Sequence, residues 1–96
     1  MAQILCHYKG RYNFYNTISD GFRFVSSLSL AQVKEVIKED QGKEGLKKLR
    51  DRLIRARRSG HSAMTGETLE DLLCCNRAGE NEKNLTADEC IDQFLR

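Results

Sequence analysis

Residues 3–26 read QILCHYKGRYNFYNTISDGFRFVS, and the alternation within them decides the fold. Ile4, Cys6 and Tyr8 fall at alternate positions, Tyr12 and Phe14 repeat the pattern, and Phe22 and Phe24 complete it, which is the period of a strand. Two reversals divide the run. Lys9-Gly10 suits a tight turn, and Asp20-Gly21 suits a two-residue hairpin turn because both residues tolerate positive φ. Six of the seven aromatic residues (Tyr8, Tyr12, Phe14, Tyr15, Phe22, Phe24) fall here. A small sheet is not stable alone, so this one must bury a face against other elements or present it to a partner.

Beyond the meander the period lengthens to that of a helix. Ser29 and Gln32 form a capping box ahead of the stripe Leu30, Val33, Val36 and Ile37, and Gly42 suits the end of that helix. A second helix runs through Leu46, Leu49, Leu53 and Ala56 to Gly60, followed by a polar loop over 59–65. Thr65 or Thr68 opens a third helix carrying Leu69, Leu72 and Leu73, closed at Ala78-Gly79. Thr86 with Glu89 opens a short fourth, with Leu85 and Cys90 at the positions of a hydrophobic staple. The expected fold is therefore α+β: an N-terminal two- or three-stranded antiparallel β-meander (3–26), then about four short α-helices (29–96). Ninety-six residues bury only about two-thirds of their unfolded surface, which supports one small domain, 1–96.

Charge is divided unevenly along the chain. Residues 43–58, KEGLKKLRDRLIRARR, carry eight Lys/Arg against two acids, whereas the residues after Arg58 carry three bases against eight acids. Either the halves neutralise each other in the fold, or the basic one faces an acidic partner. A helical wheel of 43–58 puts Gly45, Leu46, Leu49, Leu53 and Ala56 toward the core. One flank then reads Lys43, Lys47, Arg50, Ile54, Arg57 and Arg58, with no acid among them. The other mixes Glu44 and Asp51 with Lys48, Arg52 and Arg55. Ile54 in the middle of the cationic flank is what an interface needs, since charge steers the approach and the apolar side chain gains from desolvation on contact.

Other chemistry finds little support. No Cys-x-x-Cys or His-x3-His pair exists among Cys6, His7, His61, Cys74, Cys75 and Cys90, so no metal site is expected, and no cofactor motif occurs. The small-residue segment 59–66 lacks the Lys-Ser/Thr end of a phosphate loop and reads as a connector, with His61 solvated and His7 pointing outward. No apolar run is long enough for a membrane span, and the start MAQILCHYKG lacks the features of an export signal, so the expected compartment is the cytoplasm, with reduced cysteines.

Two functional readings follow. The first is a small non-enzymatic regulatory protein that binds and inhibits or redirects a larger protein through the ridge Lys43, Lys47, Arg50, Ile54, Arg57 and Arg58. The second is a sequence-tolerant DNA or RNA binder that sets the same bases against phosphates. A homodimer, completed through Tyr15, Val25, Phe94 or Leu95, is a further alternative. In size and build the chain resembles the compact accessory proteins that temperate phages and mobile elements encode to block repressors or host defence enzymes. That resemblance implies an inhibitor or antirepressor role and assigns no residue.

Overall fold

The first hairpin forms where the sequence places it. In the computed structural model, which describes residues 3–63, 68–74, 76–79, 81 and 83–96, β1 (Gln3–Tyr8) and β2 (Arg11–Asn16) pair antiparallel from Gln3↔Asn16 to Tyr8↔Arg11. Lys9 (φ 46°) and Gly10 (φ 81°) are both left-handed, as a two-residue turn matching the strand twist requires. The second reversal differs from the expectation. Residues 17–20 form a four-residue turn, with Asn16 Oδ1 accepting from the backbone N–H groups of Ile18 (2.8 Å) and Ser19 (3.3 Å). Asp20 takes positive φ (55°), while Gly21 already belongs to β3 (Gly21–Phe22). The Asn16 side chain organises the turn before Asp20-Gly21 can close a shorter one.

β2 is the central strand of an antiparallel sheet ordered β1-β2-β3. After Phe22 the chain leaves β2 and returns at Leu28, which exchanges both backbone hydrogen bonds with Tyr12 (2.9 and 2.7 Å). The amide of Asn13, fully buried, fills the gap this bulge leaves. Its Nδ2 donates to the carbonyls of Phe24 and Phe94 (2.9 Å each), and its Oδ1 accepts from the N–H groups of Phe14 (2.8 Å) and Phe24 (3.3 Å). The outer edge of β1 is occupied too: His7 N–H donates to Gly60 O and Ser62 N–H to Leu5 O, 2.9 Å each. His61, expected in solvent, is therefore buried opposite Cys6.

Both faces of the sheet are covered. Leu5, Tyr12 and Phe14 join Leu28, Val33, Ile37, Leu49 and Ala56 in one core; Cys6 and Tyr15 join Leu73, Cys90, Ile91 and Leu95 in the other. Consecutive side chains of a strand point to opposite faces, so α1 (Leu30–Ser59) lies on one side, and α2 (Leu69–Leu73) and α3 (Ala87–Phe94) on the other. Phe94 stacks on Phe22 at 4.7 Å, which locks α3 to the sheet.

Among the described residues there are three helices, where about four were expected. The segments read as two helices form one element, α1, interrupted at Gly42 (φ 62°, ψ −149°), a backbone conformation open only to glycine. A straight helix of 30 residues would be about 45 Å long, longer than the 36 Å long axis of the molecule, so the chain bends here. The bend brings Gly45 against the first arm: a Cβ there would sit 2.5 Å from Gln41 Cβ and 2.8 Å from Ile37 Cγ2. The expected capping boxes are present at Ser29/Gln32 and Thr86/Glu89, and Gly60 (φ 86°) closes α1 through its N–H to Ala56 O. Thr68 caps α2 with Asp71; the alternative start at Thr65 lies outside the described residues. α2 stops well before Ala78-Gly79 because the buried Asn76 amide donates to Leu73 O (2.6 Å) and Leu85 O (2.7 Å), turning the chain toward α3.

Two consequences are measurable by urea denaturation. Gly42→Ala and Gly45→Ala should each lower stability by about 1–3 kcal/mol, the first through backbone strain and the second through overlap with Ile37 and Gln41. Unchanged midpoints would mean that α1 does not bend here. Asn13→Asp keeps the shape but loses both donors, and should cost about 3 kcal/mol at pH 7, with part of the loss recovered near pH 4, where a protonated carboxyl can donate again.

Candidate functional site

The second arm of α1 separates its cations into two groups. On one flank Arg52 donates to Gln3 O (3.3 Å) and lies over the Phe14 ring (5.7 Å), while Arg55 donates to Ser62 O (2.9 Å). These two are absorbed into the fold, clamping the helix to β1 and to the strand-like residues 61–62. On the other flank Lys43, Lys47, Arg50, Ile54, Arg57 and Arg58 are all exposed. Arg57 is anchored by donation from Nε to the Tyr12 hydroxyl (3.0 Å), and Lys47 approaches Glu44 at 3.5 Å, a pair so open to water that it contributes little.

The bend at Gly42 turns part of this flank into a groove. Leu46, Leu49, Leu53 and Ile54 form its floor, and Lys34, Arg50 and Arg57 its rim, enclosing about 490 Å³. Ile54 is 53% exposed, a high figure for a large aliphatic side chain. Of the six ridge residues, Arg50, Ile54 and Arg57 meet in the groove, whereas Lys43, Lys47 and Arg58 stand outside its lining. Lys34 escaped sequence reasoning because it belongs to the first arm, and only the bend in α1 brings it to the groove of the second. Leu46 and Leu53 looked like ordinary core positions on the wheel; both are half-buried and complete the groove.

Among the described residues, the acids that follow Arg58 (Glu70, Asp71, Asp88, Glu89 and Asp92) do not line this groove. All five belong to α2 and α3, which pack across the sheet from α1. Among the described residues the ion pairs are Arg23–Asp40, Lys47–Glu44 and Arg96–Asp92, none joining the basic arm to the acidic half. Of the side chains considered for a homodimer, Tyr15, Phe94 and Leu95 are buried in the molecule's own core, and Val25 alone is exposed.

The remaining titratable groups serve the fold. His7 is half-buried rather than outward, its ring 5.0 Å from Tyr12 and its Nε2 accepting from Gly10 N–H (3.0 Å); burial and the Arg57 charge hold its pKa below the usual histidine value. Cys6 and Cys90 are buried free thiols, Cys74 is exposed, and Cys75 lies outside the described residues. Burial, with Cys90 nearby, pushes the Cys6 thiol up. Burial and Glu89 push Cys90 up to about 11, and burial with Asp20 pushes Tyr15 up to about 12. Among the described residues no three His, Cys, Asp or Glu side chains converge as metal ligands, and no helix is long and apolar enough to cross a membrane. Comparisons with protein-family models, curated proteins and solved structures found no match.

Raised pKa values mean that the folded chain retains protons the unfolded chain releases. Their contribution to stability is full below the ordinary thiol pKa of about 8.5 and is lost as pH rises through the folded value. The urea midpoint should therefore fall between about pH 9 and pH 11, and Cys90→Ala should shallow that fall. A midpoint independent of pH across this window would contradict burial of the thiols.

Proposed function

We propose that this chain is a small non-enzymatic regulatory protein that binds a larger protein and inhibits or redirects it. The exposed flank of the second arm of α1 is the docking surface. One observation carries the reading: Ile54, more than half exposed, sits among leucines inside a groove whose charged residues are all cationic. Phosphates gain nothing from an apolar floor, whereas a protein surface gains both from the desolvation of Ile54 and from steering by Lys43, Lys47, Arg50 and Arg58. Cytoplasmic placement, and the inhibitor or antirepressor role that the resemblance in size and build implies, are part of the same proposal.

Nucleic acid is the competing partner, and separation of the acids of α2 and α3 from the basic arm by the sheet removes one source of repulsion toward it. A photoreactive amino acid at position 54 tests the two together in cells of the chain's own source. The expected outcome is a protein adduct that Lys47→Glu with Arg50→Glu abolishes. Crosslinking to nucleic acid instead would overturn the proposal. So would duplex DNA binding that falls roughly 500-fold between about 50 and 200 mM salt, the dependence expected for about five neutralised phosphates.

A further inference from the structure

We infer that the groove between the arms of α1 receives an acidic amphipathic α-helix of the partner protein. This rests on the ridge reading above and narrows it to one kind of occupant. Three features of the groove select that occupant.

The first is backbone chemistry. Both walls are helical, so their N–H and C=O groups are already paired within α1, and they offer an incoming segment no ladder to join. An extended peptide laid here would bury its own backbone groups unpaired, at a cost that helix formation avoids. The sheet gives no better alternative nearby, because the outer edge of β1 is taken by residues 60–62.

The second is length and spacing. From Leu46 to Arg57 the floor runs about three turns of helix, or about 17 Å. A helix of that length presents one apolar stripe at i, i+4 and i+7, which matches a continuous row of Leu46, Leu49, Leu53 and Ile54. The third is charge. The charged residues of the lining are Lys34 from the first arm and Arg50 and Arg57 from the second. Glu35 and Asp51, the acids adjacent in sequence to Lys34 and Arg50, line different clefts. A helix with carboxylates flanking its apolar stripe therefore meets complementary charge from both arms, while a basic helix is repelled.

A second copy of the chain does not supply this segment. Among the described residues its acidic amphipathic helices are α2 and α3, whose Leu73, Cys90, Ile91 and Phe94 are buried in its own core. Delivering either face to the groove would unmake the core that holds it.

The test uses the intact chain and a fluorescein-labelled designed peptide of about 14 residues, with Leu at i, i+4 and i+7 and Glu on both flanks. Anisotropy should report binding with Kd of about 100 μM or tighter. A scrambled peptide of the same composition and a version with Lys in place of Glu should each bind at least about tenfold more weakly. Ile54→Ser and Arg50→Glu alter exposed side chains and should leave the circular dichroism unchanged while weakening the designed peptide about tenfold each. Amide shifts on peptide addition should cluster at Lys34, Leu46, Arg50 and Ile54. Equal binding of the scrambled peptide, equal binding of the Lys version, indifference to Ile54→Ser, or no binding near 1 mM would each overturn the helical occupant. If position 54 nonetheless crosslinks to a protein, the ridge reading survives without it; if it does not, both fall.

Discussion

A strand whose successive side chains Tyr12, Asn13, Phe14 and Tyr15 are all buried cannot have a solvent face. That constraint on β2 governs the molecule. A three-stranded sheet is too small to be stable alone, so it needs a layer on each side, and the rest of the chain supplies the bent α1 for one and the shorter α2 and α3 for the other. Asn13 is the one polar side chain in this run. Its amide ties the bulge at Phe24, the strand at Phe14 and the end of α3 at Phe94 into one network, so the two layers are registered to the same strand.

Local chemistry was legible in the sequence because it depends on neighbours. Lys9-Gly10 could close a hairpin, Ser29 could reach Gln32, Thr86 could reach Glu89, and Gly60 could end a helix whatever else the chain did. What escaped depends on partners distant in sequence. Gly42 either stops a helix or turns it, and only the packing of Gly45 on Ile37 and Gln41 distinguishes the two. Asn76 reads as an unremarkable polar residue until its amide is seen to hold Leu73 and Leu85 together. His61 sits in a run of small polar residues, and only pairing with Cys6 shows it to be part of the sheet.

The candidate site divides in the same way. The cationic flank with Ile54 at its centre follows from a helical wheel, because exposure on a helix is a matter of angle. The groove does not, since its first wall comes from the other arm through Lys34. Nor does the sequence separate cations that clamp the fold, Arg52 and Arg55, from cations left to solvent, Lys43, Arg50 and Arg58; all lie within one run of similar residues. The layering also gives the charge pattern a spatial meaning. The basic arm and the acids of α2 and α3 lie on opposite sides of the sheet, so the described part of the molecule is electrically polarised across its thickness, and a charged partner approaching it experiences a torque as well as an attraction.

The hydrogen bond from Asn13 to Phe94 spans 81 positions in sequence, and it bears on how the chain is made. During synthesis the N-terminal hairpin and both arms of α1 emerge early and can close one core together. The opposite face of the same sheet, with Cys6, Tyr15 and the Asn13 amide, meets only α2 through Leu73 at first, and is not complete until residues 90–95 have been translated. For that interval a nascent chain carries an aromatic, half-finished sheet, whose completion waits on a loop closure spanning most of its length. A chaperone that recognises exposed aromatic strands would meet this protein in that interval rather than after folding.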